Sequence, residues 1–120
     1  ATTEIYTLPL HDALPIYNAM LYPGLALGAI VSGARRISDG MFLAAANAVS
    51  SLVTVRQPGA SLLPQIDDLR GVSATVAAAV AETALAEGLA QARLTDIVQQ
   101  IQDAMWQPEY RQIRASKVSP

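Results

Sequence analysis

Cysteine is absent from the 120-residue chain, and histidine occurs once, at His11. Without Cys the chain has no disulfide, thiolate nucleophile or Cys-based zinc site, and this composition suits a reducing cytoplasm, which is the location we expect. With one His, no H-E-x-x-H motif and no facing pair of carboxylates, a metal site or a Ser-His-Asp set is not expected either. We therefore predict no catalytic residue and no metal ligand in this chain.

Charged residues are also scarce, at 15% of the chain, and the net charge is -2. No basic surface is available for nucleic acid or for an anionic membrane. The apolar run over residues 19–34 is shorter than the roughly 20 residues that span a bilayer, and Pro23 and Gly24 interrupt it. We expect no nucleic-acid partner and no membrane insertion, and we interpret the run as a buried helix.

Hydrophobic residues make up 52% of the chain, and many of them are Ala rather than large side chains. A chain of this size forms one small domain. Small apolar residues leave extensive apolar surface and few large anchors for a core. The composition indicates that the chain is part of a larger protein and is only marginally stable on its own.

The sequence predicts four helices and no ladder of strands. Pro23 suits a helix start, so the first helix is predicted over residues 24–33 with Gly33 as its end, after an extended lead-in or short strand. The second is predicted over residues 38–52, with Ser38 as its N-cap. A loop over residues 54–65 precedes a third helix from Asp67 and Asp68 to near Gly88, and the fourth follows Thr95 as its cap. As an isolated chain the fold is predicted to be mainly α.

Apolar spacing predicts which faces pack. The third helix carries a stripe at intervals of three and four residues, with small residues beside it that indicate packing on more than one side. The stripe consists of Ile66, Leu69, Val72, Val76, Val80, Ala84 and Leu85; the small residues are Ala77, Ala78, Ala79 and Ala81. The fourth helix is predicted to pack through Ile97, Val98, Ile101 and Met105. Gly24 and Gly28 form a G-x-x-x-G pattern, which indicates close approach of a neighbouring element.

The stretch "YNAMLYPGLALGAIVSGARRISDGMFLAAANAV" resembles the C-terminal part of malic enzymes. The family motif pairs two Asn with an aromatic and Pro-Gly-Leu-x-Leu-Gly, followed by Arg-x-Ile-Ser/Thr-Asp and an Ala-rich helix. The matching residues are Asn18, Tyr22, Pro23, Gly24, Leu25, Leu27, Gly28, Arg36, Ile37, Ser38, Asp39, Met41, Ala44, Ala45 and Ala46. The resemblance continues through "LLPQIDDLRGVSATVAAAVAETALAEGLA" and "MWQPEYR", so it covers nearly all of residues 17–111.

This resemblance implies an α/β, Rossmann-like parent enzyme that oxidatively decarboxylates malate to pyruvate and CO2. The family uses NAD or NADP with a divalent metal, Mg or Mn, and the parent is expected to be a homo-oligomer. Its catalytic Tyr and Lys, its metal ligands and its dinucleotide fingerprint match nothing here, so the chain alone is expected to be inactive and to bind no cofactor. Only Asn18 carries over, as a malate contact whose uncharged amide can donate to a carboxylate.

The opening "ATTEIYTLPLHDALPI" resembles the translation of a DNA-sequencing adaptor, with one substitution at Pro9. We expect residues 1–16 to be non-native and without regular structure, and residues 17–120 to be the C-terminal fragment of the enzyme's NAD-binding and substrate region. Asn and Tyr codons differ in their first base, so a terminal T of the adaptor would convert an Asn codon to Tyr17. We predict Asn at position 17 in the source gene.

A second interpretation stays open, in which the chain is a free-standing helical interaction or oligomerisation module without catalytic activity. Small-residue packing along residues 67–88 would serve such a module. The ordered set of family motifs favours the malic enzyme interpretation, and the absence of Met from the opening counts against the module.

Overall fold

The computed structural model describes residues 10–52, 68–105, 109–110 and 113, with side chains from residue 18 onward. Within these ranges the chain forms four helices and no strand: α1 (Leu10–Ser32), α2 (Asp39–Ser51), α3 (Leu69–Ala86) and α4 (Ile97–Ala104). The prediction of a mainly α chain with about four helices is confirmed.

Helix α1 is much longer than the predicted helix over residues 24–33. It begins at Leu10 and continues through Pro23, so the predicted start and the extended lead-in are wrong. The expected lack of regular structure is wrong for residues 10–16, while residues 1–9 lie outside the described part. Met20 and Leu21, just before the proline, are buried, and their packing offsets the cost of an interior Pro. Extending a formed helix toward Leu10 then costs less than nucleating a new one.

The predicted ends of α2 and α3 are confirmed. Ser38 caps α2, and its Oγ accepts a hydrogen bond from the Met41 N–H at 3.1 Å. Asp68 caps α3 and accepts from the Gly71 N–H, so this carboxylate serves as a helix cap. Gly33 and Gly88, which follow α1 and α3, have positive φ, at 61° and 72°. The predicted loop over residues 54–65 lies outside the described residues.

Helix α4 differs from its prediction in two details. Asp96, rather than Thr95, is the N-cap, because the Asp96 side chain accepts from the Gln99 N–H at 3.1 Å. Ile101 is buried as expected, but Val98 is 58% exposed. A helix of only eight residues lying across α3 and α1 buries one narrow stripe, and Val98 lies outside it.

Helix α3 is the centre of the core and contacts each of the other three helices. Val72, Val76, Val80 and Ala84 are buried as predicted, and burial of Ala77 and Ala81 confirms packing on more than one side. Leu85 is half exposed, against prediction, because it lies outside the face of α3 formed by the buried Val76, Val80 and Ala84. By length and composition alone α3 is the one helix among the described residues that could cross a membrane, and here it forms the core.

Candidate functional site

Two glycines of α1 lie directly against α3. A Cβ built on Gly24 would lie 2.6 Å from Val76 Cβ, and one on Gly28 would lie 2.6 Å from the Ala77 carbonyl oxygen. Real Cβ atoms essentially never come within 3.0 Å of such neighbours. The predicted close approach is therefore confirmed, and it fixes where α1, with Asn18 near its middle, sits on α3.

Asn18 is the single site residue that the family resemblance places in this chain. It lies on α1 two positions before the fully buried Met20, and its own side chain is exposed. Tyr22, one turn further along, is 49% exposed. The side chain of Tyr17 is outside the described part. The amide of Asn18 therefore lies at the surface of a helix whose position the core fixes.

The second half of the motif, which contains Ser38, forms the capped start of α2. Ser38 is buried, and while its Oγ accepts from the Met41 N–H it also donates to Glu87 Oε2 at 2.5 Å. Glu87 is the C-cap residue of α3, so its carboxylate lies at the N-terminus of α2, where the helix dipole favours an anion. A side chain at Gly40 would collide with the same carboxylate.

Glu87 is a structural residue that no sequence pattern indicated. It lies 49 positions from Ser38, and no helical or strand period links residues that far apart. A Glu that precedes a helix-ending Gly does not by itself indicate any particular contact. Ser38 of the motif is thus explained by its capping of α2 and its hydrogen bond to Glu87.

Main-chain hydrogen bonds join the turn after α1 to the turn after α3, next to the contact between Ser38 and Glu87. The Arg35 N–H donates to the Leu89 carbonyl at 3.1 Å, and the Gln91 and Ala92 N–H groups donate to the Ser32 carbonyl at 3.1 and 3.0 Å. These bonds satisfy a carbonyl at the end of α1 that the helix itself leaves free. The Arg35 and Arg36 side chains are exposed.

A shallow apolar groove of about 510 Å³ lies where α1, α3 and the end of α4 meet. Ile30, on its α1 side, is 75% exposed. The polar residues of the lining are Ser73 and Arg70, and the others are aliphatic: Ala19, Pro23, Ala26, Leu27, Ile30, Leu69, Ala104 and Met105. We name this feature the α1–α3 groove.

The described residues do not fit a metal centre. Among them no group of three His, Cys, Asp or Glu side chains could hold a metal ion, and the lining of the α1–α3 groove offers one serine and one arginine as polar groups. Every buried side-chain N or O atom in this part of the chain has a hydrogen-bond partner. No chemical step is assigned to these residues.

Comparison with known proteins gives the family. The family model described as "Malic enzyme, NAD binding domain" matches residues 15–85. The chain is 54% identical over 98 residues to NAD-dependent malic enzyme 3 of Bacillus subtilis, which covers 82% of the chain and 17% of that protein. It is 42% identical over 93 residues to the malolactic enzyme of Lactococcus lactis, covering 78% of the chain and 17% of that protein. An NAD-dependent malic enzyme of Shewanella frigidimarina is 38% identical over 99 residues, which cover 81% of the chain and 18% of that enzyme.

The chain thus spans less than a fifth of the length of these relatives. The matched region includes α2, most of α1 and all but the last residue of α3, with the Gly24 and Gly28 contact, the Ser38 cap and Asn18. Because the family model covers more than half of the 120 residues, the chain belongs to the malic enzyme family and corresponds to a segment of its NAD-binding domain.

Proposed function

We propose that the chain is the helical C-terminal segment of an enzyme that oxidatively decarboxylates malate to pyruvate and CO2 with reduction of NAD. The observation that carries this proposal is the family match over residues 15–85, whose motif residues make the contacts that hold α1, α2 and α3 together. The Bacillus and Shewanella relatives are named NAD-dependent, which favours NAD over NADP. We further propose a divalent metal, Mg or Mn, whose ligands belong to the rest of the enzyme.

In this proposal Asn18 contacts malate. Its support is the exposed position of Asn18 on a helix that Gly24 and Gly28 hold against α3 without space for adjustment. An amide N–H can donate to a malate carboxylate, and because it carries no charge it does not compete for the metal as an anion would. The role of the chain is therefore to present one substrate contact from a rigid helical base.

The rest of the parent enzyme is the partner of this chain, and we propose a cytoplasmic homo-oligomer as the working form. The 120-residue chain by itself is expected to be inert, because the family's catalytic Tyr and Lys, its metal ligands and its dinucleotide fingerprint match no residue of this chain. The alternative of a free-standing helical module has less support, since it does not explain the family match.

A chimera tests the proposed function. Residues 18–120 replace the aligned segment of the Bacillus subtilis enzyme, so that the adaptor-derived Tyr17 is left out, and malate-dependent NADH formation is measured for the chimera and for the 120-residue chain alone. We expect activity from the chimera and none from the free chain. Activity in the free chain, or a folded chimera without activity, would contradict the proposal.

The role of Asn18 is tested in the same chimera. Asn18→Ala removes a hydrogen bond to a charged group, so the KM for malate is expected to rise roughly 10- to 100-fold with little change in the KM for NAD. The matched control is Asn47→Ala, on the exposed side of α2, which should leave both constants unchanged. Equal constants for the two variants would remove Asn18 from the malate site.

We also propose that residues 1–16 derive from adaptor DNA and that the enzyme segment begins at position 17. The family match begins at residue 15, within two positions of that boundary. Sequencing the source DNA upstream of the Asn18 codon should show an Asn codon at position 17. A native Tyr codon there would show this origin of Tyr17 to be wrong.

A further inference from the structure

The α1–α3 groove leaves an aliphatic surface open in an otherwise packed helical unit. Helix α1 packs one face on α3, and the adjoining face, which carries Pro23, Ala26 and Ile30, is exposed along the groove. Exposed apolar surface of this kind on a folded chain marks a contact surface. We therefore expect an apolar surface to pack in the groove.

The share of the relatives that the chain spans indicates which occupant this is. More than four fifths of the Bacillus subtilis enzyme has no counterpart in the chain. Dinucleotide-binding domains are built on a parallel sheet with helices on both faces, and the strands of such a sheet are rich in Val, Ile and Leu. The described residues of this chain form helices and contain no strand, so they supply none of that sheet.

The lining matches a sheet face better than it matches a small ligand. Small-molecule sites combine apolar walls with several convergent polar groups. Here the polar groups of the lining are Ser73 and Arg70, and Arg70 already has an interaction within the protein. The shallow aliphatic trough suits the side chains of a strand surface.

We propose that the α1–α3 groove is the surface on which the parallel sheet of the remaining NAD-binding domain packs, burying Ile30. This inference rests on the proposed function, because the occupant is the rest of the same enzyme. A second copy of the chain is the competing occupant.

Thiol labelling of the full chain tests the proposal directly. The chain has no Cys, so Ile30→Cys introduces its only thiol, and Asn47→Cys on α2, an exposed polar position outside the groove, is the matched control. Each variant is labelled with a maleimide as the free chain and within the Bacillus subtilis chimera, and the labelled peptide is measured by mass spectrometry. We expect the thiol of Ile30→Cys to react at least about tenfold more slowly in the chimera than in the free chain, relative to the control.

Equal reactivity in both contexts would overturn the proposal. Protection in the free chain that increases with its concentration would also overturn it, since the occupant would then be a second copy. Labelling does not depend on catalysis, so the two proposals can fail separately. Protection in a folded but inactive chimera contradicts the proposed function alone, and an active chimera with a reactive thiol contradicts the docking alone.

A second variant covers the case in which labelling is ambiguous. Ile30→Glu should leave the free chain as stable as before, because the side chain is 75% exposed there, but it should lower the thermal midpoint of the chimera. Asn47→Glu, at an exposed polar position of α2, is its control and should change the midpoint of neither protein. Equal midpoints for the Ile30→Glu chimera and the unmodified chimera would overturn the proposal.

Discussion

The contact between α1 and α3 predicts a specific effect of Gly28→Ala, which adds one methyl group between the two helices. The new Cβ would lie 2.6 Å from the Ala77 carbonyl oxygen and 2.8 Å from Val80 Cβ, whereas ordinary contact begins at 3.4 Å. The nearer obstacle is main chain, so no change of side-chain rotamer can relieve it. Helix α1 must therefore move outward by the difference, about 0.8 Å, and a gap of that size removes a quarter to a half of the contact energy of nearby atom pairs.

Two opposing terms set the magnitude of this change. Overpacking of a core costs about 1–3 kcal/mol, and separation of the two helices also weakens the contacts around the fully buried Met20 and Val76. Replacing Gly by Ala inside a helix gains about 1 kcal/mol of helix propensity. We expect packing to win, with a net loss of up to about 2 kcal/mol in the free energy of unfolding.

The assay is thermal unfolding of the 120-residue chain followed by far-UV circular dichroism. In a domain of this size each kcal/mol lost lowers Tm by about 4–8 °C. Ala26→Gly is the control, because it makes the reverse change on the exposed side of α1 and should cost only the propensity term of about 1 kcal/mol. Both variants should therefore melt earlier. If Gly28→Ala melts later than the unmodified chain, helix propensity dominates and the close packing of α1 on α3 is wrong.

Two further stability changes follow from the capping and core contacts. Ser38→Ala removes the cap of α2 and the hydroxyl that donates to Glu87, so urea unfolding should show a loss of about 1–2 kcal/mol, whereas Ser38→Thr should retain most of the stability; equal stability of the Ala and Thr variants would contradict the cap. Ile101→Ala should cost about 2–5 kcal/mol because the side chain is buried, while Val98→Ala, at a position 58% exposed, should stay within about 0.5 kcal/mol. A larger loss for Val98→Ala than for Ile101→Ala would show that the buried face of α4 is misassigned.

Local signals in the sequence were sufficient for the ends of α2 and α3. Ser38, Asp68 and Gly88 each act through groups within a few residues, so their capping and terminating roles can be inferred without a tertiary structure. The G-x-x-x-G pattern likewise predicted a close contact, although the sequence did not identify Val76 and Ala77 as the residues that Gly24 and Gly28 contact.

Features that depend on distant packing were not predictable. Pro23 has the local properties of a helix start, and α1 continues through it because Met20 and Leu21 are buried in the core, a gain that no local pattern contains. Thr95 and Asp96 are both good caps, so the sequence could not choose between them. The family resemblance identified Asn18 as a site residue. The hydrogen bond between Ser38 and Glu87 could not be predicted in this way, because it depends on how α3 ends beside α2.

The paired turns also set an order for folding during synthesis. The N–H groups that satisfy the carbonyl of Ser32 belong to Gln91 and Ala92, which leave the ribosome about 60 residues later, a delay of roughly 3–12 s at 5–20 residues per second. Until then the Ser32 carbonyl has only water as a partner, and the turn that directs the chain into α2 lacks its main-chain bonds to the turn after α3. The angle between α1 and α2 is thus decided late in translation, after α3 is available as the surface on which both helices pack.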